Sequence, residues 1–298
     1  MLTLDDDRFH PPSSNDPWWS ETCWFSFAHP EARLSGSFYP LFRANQGVCS
    51  LAVSVWDADA HEPWRLAYHR CDWHLPLPAT NLDRLALGAL RYEVLEPRQR
   101  YRVRYQDGER FCANLEYTGL IPVHEAGIRD GHGHVDQPCH VRGEIVLRGR
   151  RIAIDAPDMR DRSWGVRRDD RSTRSAYCYA IAGAAESFLA VSFASPGLGG
   201  RGDVQPIVAG FLVRGGEKAA LVAGTRTITR DGASPWPARV AIEARDALGR
   251  ELNATGVTVN RFANQASPGL FAWMSLTRWD FAGESFGQDQ DIGSPDRL

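Results

Sequence analysis

Between Asp155 and Arg168 the chain reads Asp-Ala-Pro-Asp-Met-Arg-Asp-Arg-Ser-Trp-Gly-Val-Arg-Arg, three Asp, four Arg and one Trp within fourteen residues. No other window is so rich in groups able to do chemistry. Asp161 stands between Arg160 and Arg162, Asp158 lies just before them, and Trp164-Gly165 offers a flat apolar wall beside a residue that admits close backbone approach. Guanidinium neighbours favour an ionised Asp161, whereas burial alone raises a carboxyl pKa. Which effect prevails decides between two readings: a salt-bridged connector joining two sheets, or a carboxyl that moves protons.

Two further clusters compete. On the approach to that stretch lie His124, Glu125, His132, His134, Asp136 and His140. His132, His134 and Asp136 are ligand types, but no fourth ligand follows at a defined spacing, so no metal is expected. His140, at the start of a strand, is the better general base. Near the end, the run Trp279 to Asp289 sets Glu284 among two Phe and one Trp, which would raise its pKa if the segment folded into a pocket; as a polar tail it would do nothing. Glu21 and His29, among the aromatic residues of the first strand, are lesser candidates for the same cavity. No GxSxG elbow, GxGxxG or GxxxxGK[ST] signature occurs, so covalent hydrolysis and nucleotide cofactors have no support, and no cofactor is expected.

The elements that must hold these groups read as strands. Asp16 to Phe27, Arg33 to Arg43, Gly47 to Asp57 and Trp64 to Asp72 are aromatic or β-branched, with Asn45-Gln46-Gly47 as a hairpin turn. Ser50, Ala52, Ser54 and Trp56 alternate with Leu51, Val53 and Val55, which puts one face into a core. Trp73 to Ala79 reads as loop, Leu82 to Ala89 as one or two helical turns, and Gly127 to Gln137 as a Gly/His-rich loop. Hairpins follow at Tyr101 to Gly119 and Cys139 to Asp155. Arg167 to Ser175 is a charge run fit for a linker. Beyond it, Ala176 to Ala182, Ser187 to Ala194, Val204 to Val213, Glu217 to Ile228, Ala238 to Arg245, Glu251 to Asn260 and Phe271 to Phe281 alternate with turn signals. Those signals include Ser195-Pro196-Gly197 and Gly199-Gly200. Short strands at regular spacing with so little helix argue for antiparallel sandwiches or barrels.

Composition narrows the function classes. With 34 basic and 37 acidic residues the net charge is −3, which gives no polybasic field for nucleic acid. No leader pattern or membrane-length apolar run appears, and a cytoplasmic location is expected. Cys23, Cys49, Cys71, Cys112, Cys139 and Cys178 lack zinc spacing and read as free thiols. Ten Trp point to large cores or an aromatic-lined cavity.

The run Met159-Arg-Asp-Arg-Ser-Trp-Gly165 resembles the Asp-[His/Arg]-x-Trp-[Gly/Ser] motif of the AttH-like / carotenoid hydratase-like family. Gly143 to Gly149 and Trp279 to Glu284 support it. The resemblance implies an all-β fold of two consecutive lipocalin-like antiparallel β-barrels, over residues 1–168 and 169–298. It also implies a cofactor-free hydratase, dehydratase, cyclase or isomerase acting on a hydrophobic terpenoid, steroid-like or aromatic molecule, with Asp161 as the acid. His140 or Glu284 would be its partner. Arg162 would hold Asp161 or bind a substrate oxygen, Arg160, Asp158, Trp164, Trp279, Glu21 and His29 would bind substrate, and a homodimer is allowed. Two rivals stand beside it: a carrier or sensor of hydrophobic ligands, and an interaction protein whose aromatic residues only pack.

Overall fold

The protein is described by a computed structural model over residues 7–129, 131–168, 174–194, 203–232, 236–267 and 269–294. Part of the charge run, residues 169–173, and the turns at 195–197 and 199–200 lie outside the described residues. The expected class holds: the described chain is almost entirely antiparallel strand, with three short 3-10 turns. It divides into two compact units. Unit 1 comprises Met1–His29, Ser35–Val55 and Leu66–Arg167; unit 2 comprises Pro30–Leu34, Trp56–Arg65 and Arg168–Leu298.

The first eleven strands are β1 (Trp19–His29), β2 (Leu34–Arg43), β3 (Val48–Trp56), β4 (Tyr68–Pro76), β5 (Arg84–Leu87), β6 (Leu90–Glu96), β7 (Arg100–Asp107), β8 (Phe111–Gly119), β9 (His124–Arg129), β10 (His132–Leu147) and β11 (Arg150–Val166). They form one sheet in the order β4-β3-β2-β1-β11-β10-β8-β7-β6-β5, with β9 added alongside β10. Except at β4/β5 and β8/β9, neighbours in sequence pair as hairpins, while β1 and β11 bring together the two ends of this part of the chain. At Asn45-Gln46-Gly47 the expected turn is a 3-10 turn closed by Gly47 at φ 69, a left-handed value that glycine adopts without strain.

Four expectations need correction. The Asp155–Arg168 stretch is no connector: through Val166 it is the second half of the seventeen-residue central strand β11. Its charged residues did not stop the strand because both neighbours, β1 and β10, supply backbone partners along it. Gly127 to Gln137, read as loop, is mostly strand in β9 and β10. Leu82 to Ala89, read as helical turns, contains β5, because pairing with β6 outweighs a weak local helix preference. Trp73 to Ala79, read as loop, is strand through Pro76 at the end of β4.

Unit 2 contains β12 (Arg174–Ile181), β13 (Glu186–Phe193), β14 (Val204–Arg214), β15 (Glu217–Arg230), β16 (Pro237–Asp246), β17 (Glu251–Thr258), β18 (Phe262–Ser267), β19 (Leu270–Asp280) and β20 (Glu284–Gly293). The order β17-β16-β15-β14-β13-β12-β20-β19 closes on itself through pairing of β17 with β19, which leaves those two strands no unpaired edge there. Glu284 to Gly293 is therefore no tail but a strand of this barrel, buried at most positions despite its polarity. Tight closure depends on Gly287, where an added Cβ would fall 1.9 Å from the Tyr179 carbonyl oxygen. Gly287→Ala should cost about 2–3 kcal/mol by overpacking, read as an earlier urea unfolding transition.

Candidate active site on the outer face of the central strand

Strand β11 sends successive side chains to opposite faces. Register assigns them. Trp24, Asp161 and Asp136 stand in one row across β1, β11 and β10, and Thr22, Ser163 and His134 in the next. On the other face Cys23, Arg162 and Val135 form a row, as do Phe25, Arg160 and Gln137. Arg160, Arg162, Trp164 and Asp158 thus project to the side away from Asp161, and the sequence neighbours expected to surround its carboxylate do not. The faces also differ in what they touch: the Arg side meets Phe25, Tyr92 and Tyr101, the core aromatics of unit 1.

Around Asp161 the structure brings together His134, Asp136, Arg167, Ser163 and Thr22. His134 Nε2 and Asp136 Oδ1 are 2.8 Å apart, and ligating atoms of His134, Asp136 and Asp161 all lie within 4.8 Å of one another. Arg167 Nη1 donates to Ser163 Oγ at 2.8 Å and to Thr22 Oγ1 at 3.2 Å, laying a guanidinium along the same face. Trp24, 6% exposed and edge-on to Tyr39 at 5.5 Å, supplies the apolar wall.

Burial pushes the Asp161 carboxyl up to about 6; His134 and Arg167 pull against it, and Asp136 adds to it. Burial works to lower the His134 imidazole, yet Asp136 and Asp161 lift it above its ordinary value. A carboxyl held up to about 6 and an imidazole raised by its carboxylate neighbours therefore face each other. One imidazole and two carboxylates are also ligand types for a divalent ion. The His134–Asp136 bond couples the imidazole to both carboxylates, an arrangement suited to passing protons.

The other expected residues lie elsewhere. His140 is on the same face as Asp136 but four residues along β10, about 13 Å away at roughly 3.3 Å per residue. There it bonds Asp155 Oδ1 at 2.5 Å, beside an open groove of about 550 Å³ that it lines with Arg100, Glu116 and Arg142. His29 ends β1, five residues beyond Trp24. Glu21 is wholly buried and bonds Arg162 and His10. Asp158 accepts from Ser26 Oγ at 2.7 Å. Glu284 and Trp279 belong to unit 2. Glu284 is exposed, 3.6 Å from Arg278, while Trp279 packs inside the barrel against Phe188 with ring centroids 5.2 Å apart.

Sequence reasoning missed His134 and Asp136 as partners of Asp161. The signal was their i, i+2 spacing, which puts both on one face only if the segment is strand; reading it as loop discarded that. It also missed the charge network inside unit 2. There Arg226 binds Asp289 through both carboxylate oxygens at 2.8 Å, Gln205 Oε1 accepts from Arg226 at 3.2 Å, and Arg174 bonds Asp291 at 2.6 Å.

A family described as "Domain of unknown function (DUF7064)" matches residues 3–285. No curated protein matches the sequence. Among solved structures, a protein of Nitrosomonas europaea assigned as AttH is similar with TM-score 0.67 and 14% identity, over 98% of this chain and 96% of that one. CghA is similar at TM-score 0.62 and 12% identity, covering 94% of this chain and 89% of its own. Kievitone hydratase from Nectria haematococca follows at 0.56 and 9%, covering 97% and 93%. At these identities the likeness is one of fold, and the fold is the AttH-like one that the central motif implied.

Proposed function

The chain belongs to the DUF7064 family, and from that membership, the AttH-like fold and the relay around Asp161 we propose a lyase or isomerase of hydratase, dehydratase or cyclase type. It acts on a hydrophobic small molecule by general acid/base catalysis. Asp161 and His134 exchange protons with the substrate, Asp136 holds the imidazole, Arg167 meets an oxygen that gains negative charge, and Trp24 faces the apolar body. The observation that carries the reading is the Asp161 carboxyl poised at about 6 within 4.8 Å of His134. Such a pair can protonate a C=C bond and take a proton from the adjacent carbon. Kievitone hydratase and CghA, by the fold they share with this chain, favour that class over hydrolysis.

Terpenoid, steroid-like and aromatic alkenes, followed for conversion by mass spectrometry, provide the test. A converted compound should be turned over about 10²–10⁴-fold more slowly by Asp161→Asn with the fold intact. Full activity in that variant removes Asp161 from the mechanism, and binding without conversion favours a carrier.

The same variant has a signature that needs no substrate. A carboxyl whose folded pKa is raised binds its proton more tightly when folded. Its stabilising contribution is complete below about 3.8 and is lost as pH rises through about 6. Asp161→Asn should therefore gain about 1–3 kcal/mol relative to the wild type between pH 4 and pH 7, the lower figure allowing for solvent screening of a partly exposed carboxyl. Parallel stability curves for the two proteins across that window would mean an unshifted Asp161.

A further inference from the structure

The inner face of unit 1 carries a second set of functional groups that the Asp161 chemistry does not use. Arg160 and Arg162 are 2% and 1% exposed, and Tyr92, Tyr101 and Tyr117 are equally buried. Arg160 Nη1, Arg162 Nη1 and Nε, and all three tyrosine hydroxyls make no hydrogen bond within the protein. Guanidinium N–H groups can only donate, so whatever satisfies them must offer acceptors, and a carboxylate offers two. Around them the surface is aromatic: Arg160 lies 3.9 Å over the Tyr101 ring, and Phe25 is 4.9 Å from Tyr92 and 5.1 Å from Tyr117.

This face is covered by the chain's own segment Asp7 to His10. Asp7, 4% exposed, reaches only to 4.0 Å from Arg160 Nη2, and its Oδ2 already accepts the Arg98 N–H at 2.7 Å. The Arg8 carbonyl accepts from Arg162 Nη2 at 2.7 Å. Phe9 sits 4.7 Å from Phe42, and its N–H donates to Asn81 Oδ1. His10 stacks on Trp164 at 4.0 Å and bonds Glu21. Asp7 thus occupies the place of a carboxylate on Arg160 without making the paired hydrogen bonds a guanidinium can give.

We propose that the inner face of unit 1 binds an apolar carboxylic acid, whose carboxylate replaces Asp7 at Arg160 while Asp7 to His10 acts as the strap over the site. The ligand's two oxygens accept from Arg160 and from the Tyr92 and Tyr101 hydroxyls, and its apolar body lies against Phe25 and Tyr117. This site is separate from the proton relay, on the opposite face of β11.

cis-Parinaric acid and its methyl ester, titrated by fluorescence into the full chain, test the assignment. The acid should bind at least about tenfold more tightly than the ester, because only the acid presents a carboxylate to Arg160. Asp7→Asn weakens the internal competitor and should tighten the acid about fivefold or more while leaving the ester unchanged. Arg160→Gln should erase the preference for the acid; should that variant fail to fold, Asp7→Asn still decides. Asp161→Asn should leave both affinities as they are, so loss of the relay and loss of this site are read separately. Equal affinities for acid and ester in the wild type and in Asp7→Asn, no binding to either protein, or loss of binding in Asp161→Asn would overturn the proposal.

Discussion

Asp289→Ala is expected to destabilise unit 2 by about 3–5 kcal/mol, because it strands the Arg226 guanidinium inside a closed barrel. Arg226 has no exposed surface, and Asp289 supplies both oxygens of its paired hydrogen bonds. The remaining acceptors are poor substitutes. Gln205 is neutral, and Asp291 lies 3.6 Å from Arg226 Nη1 while bonding Arg174 and approaching Arg230 at 3.4 Å. An ionised guanidinium cannot shed its proton to escape the cost. Hydrogen exchange should show the loss as faster exchange in β15 and β20, the strands that carry the pair, with β1 and β11 unchanged. Asp289→Leu with Arg226→Met should recover most of the stability, since burying an ion pair is near neutral against packed apolar groups. A single variant as stable as the wild type would show that water or another acceptor reaches Arg226.

Glu21→Ala should have a similar effect in unit 1, again about 3–5 kcal/mol. Glu21 is fully buried opposite Trp164, accepts from Arg162 and holds His10 through both its backbone N–H and its ring. Arg162 already has Nε and Nη1 without partners, so losing Glu21 leaves only the Arg8 carbonyl at 2.7 Å and the His10 ring as acceptors. Faster exchange should then appear in β1, β11 and the Asp7 to His10 segment together. Release of that segment alone, with β1 and β11 still protected, would mean that the Glu21–His10 contact matters more than the ion pair.

These two ion pairs differ in how far the sequence disclosed them. Glu21 and Arg162 were both singled out, one among aromatic residues and one in the charged motif, though for substrate rather than for each other. Arg226 and Asp291 carry no motif at all, and Asp289 only ends the run that begins at Trp279. Each looks like an ordinary surface charge until β20 is seen to be a barrel strand. The thiols were more legible: all six cysteines are free, as their scattered spacing implied. Among the described residues no helix is long and apolar enough to cross a membrane.

By itself the sequence determined the β class, the succession of hairpins and the AttH-like character of the central motif, because alternation with a period of two and turn residues act locally along one strand. It left open whether Asp161 and Arg162 share a face, because that depends on the run being strand. Only the tertiary structure decided that β10 lies alongside β11 in a register that sets Asp136 and His134 against Asp161, and that β17 closes onto β19. Those are pairings between residues far apart in the chain, and a shift of one residue in register would present the opposite face. No local pattern encodes which of two distant strands supplies the neighbour, and so the partner of each buried charge was settled by packing rather than by spacing.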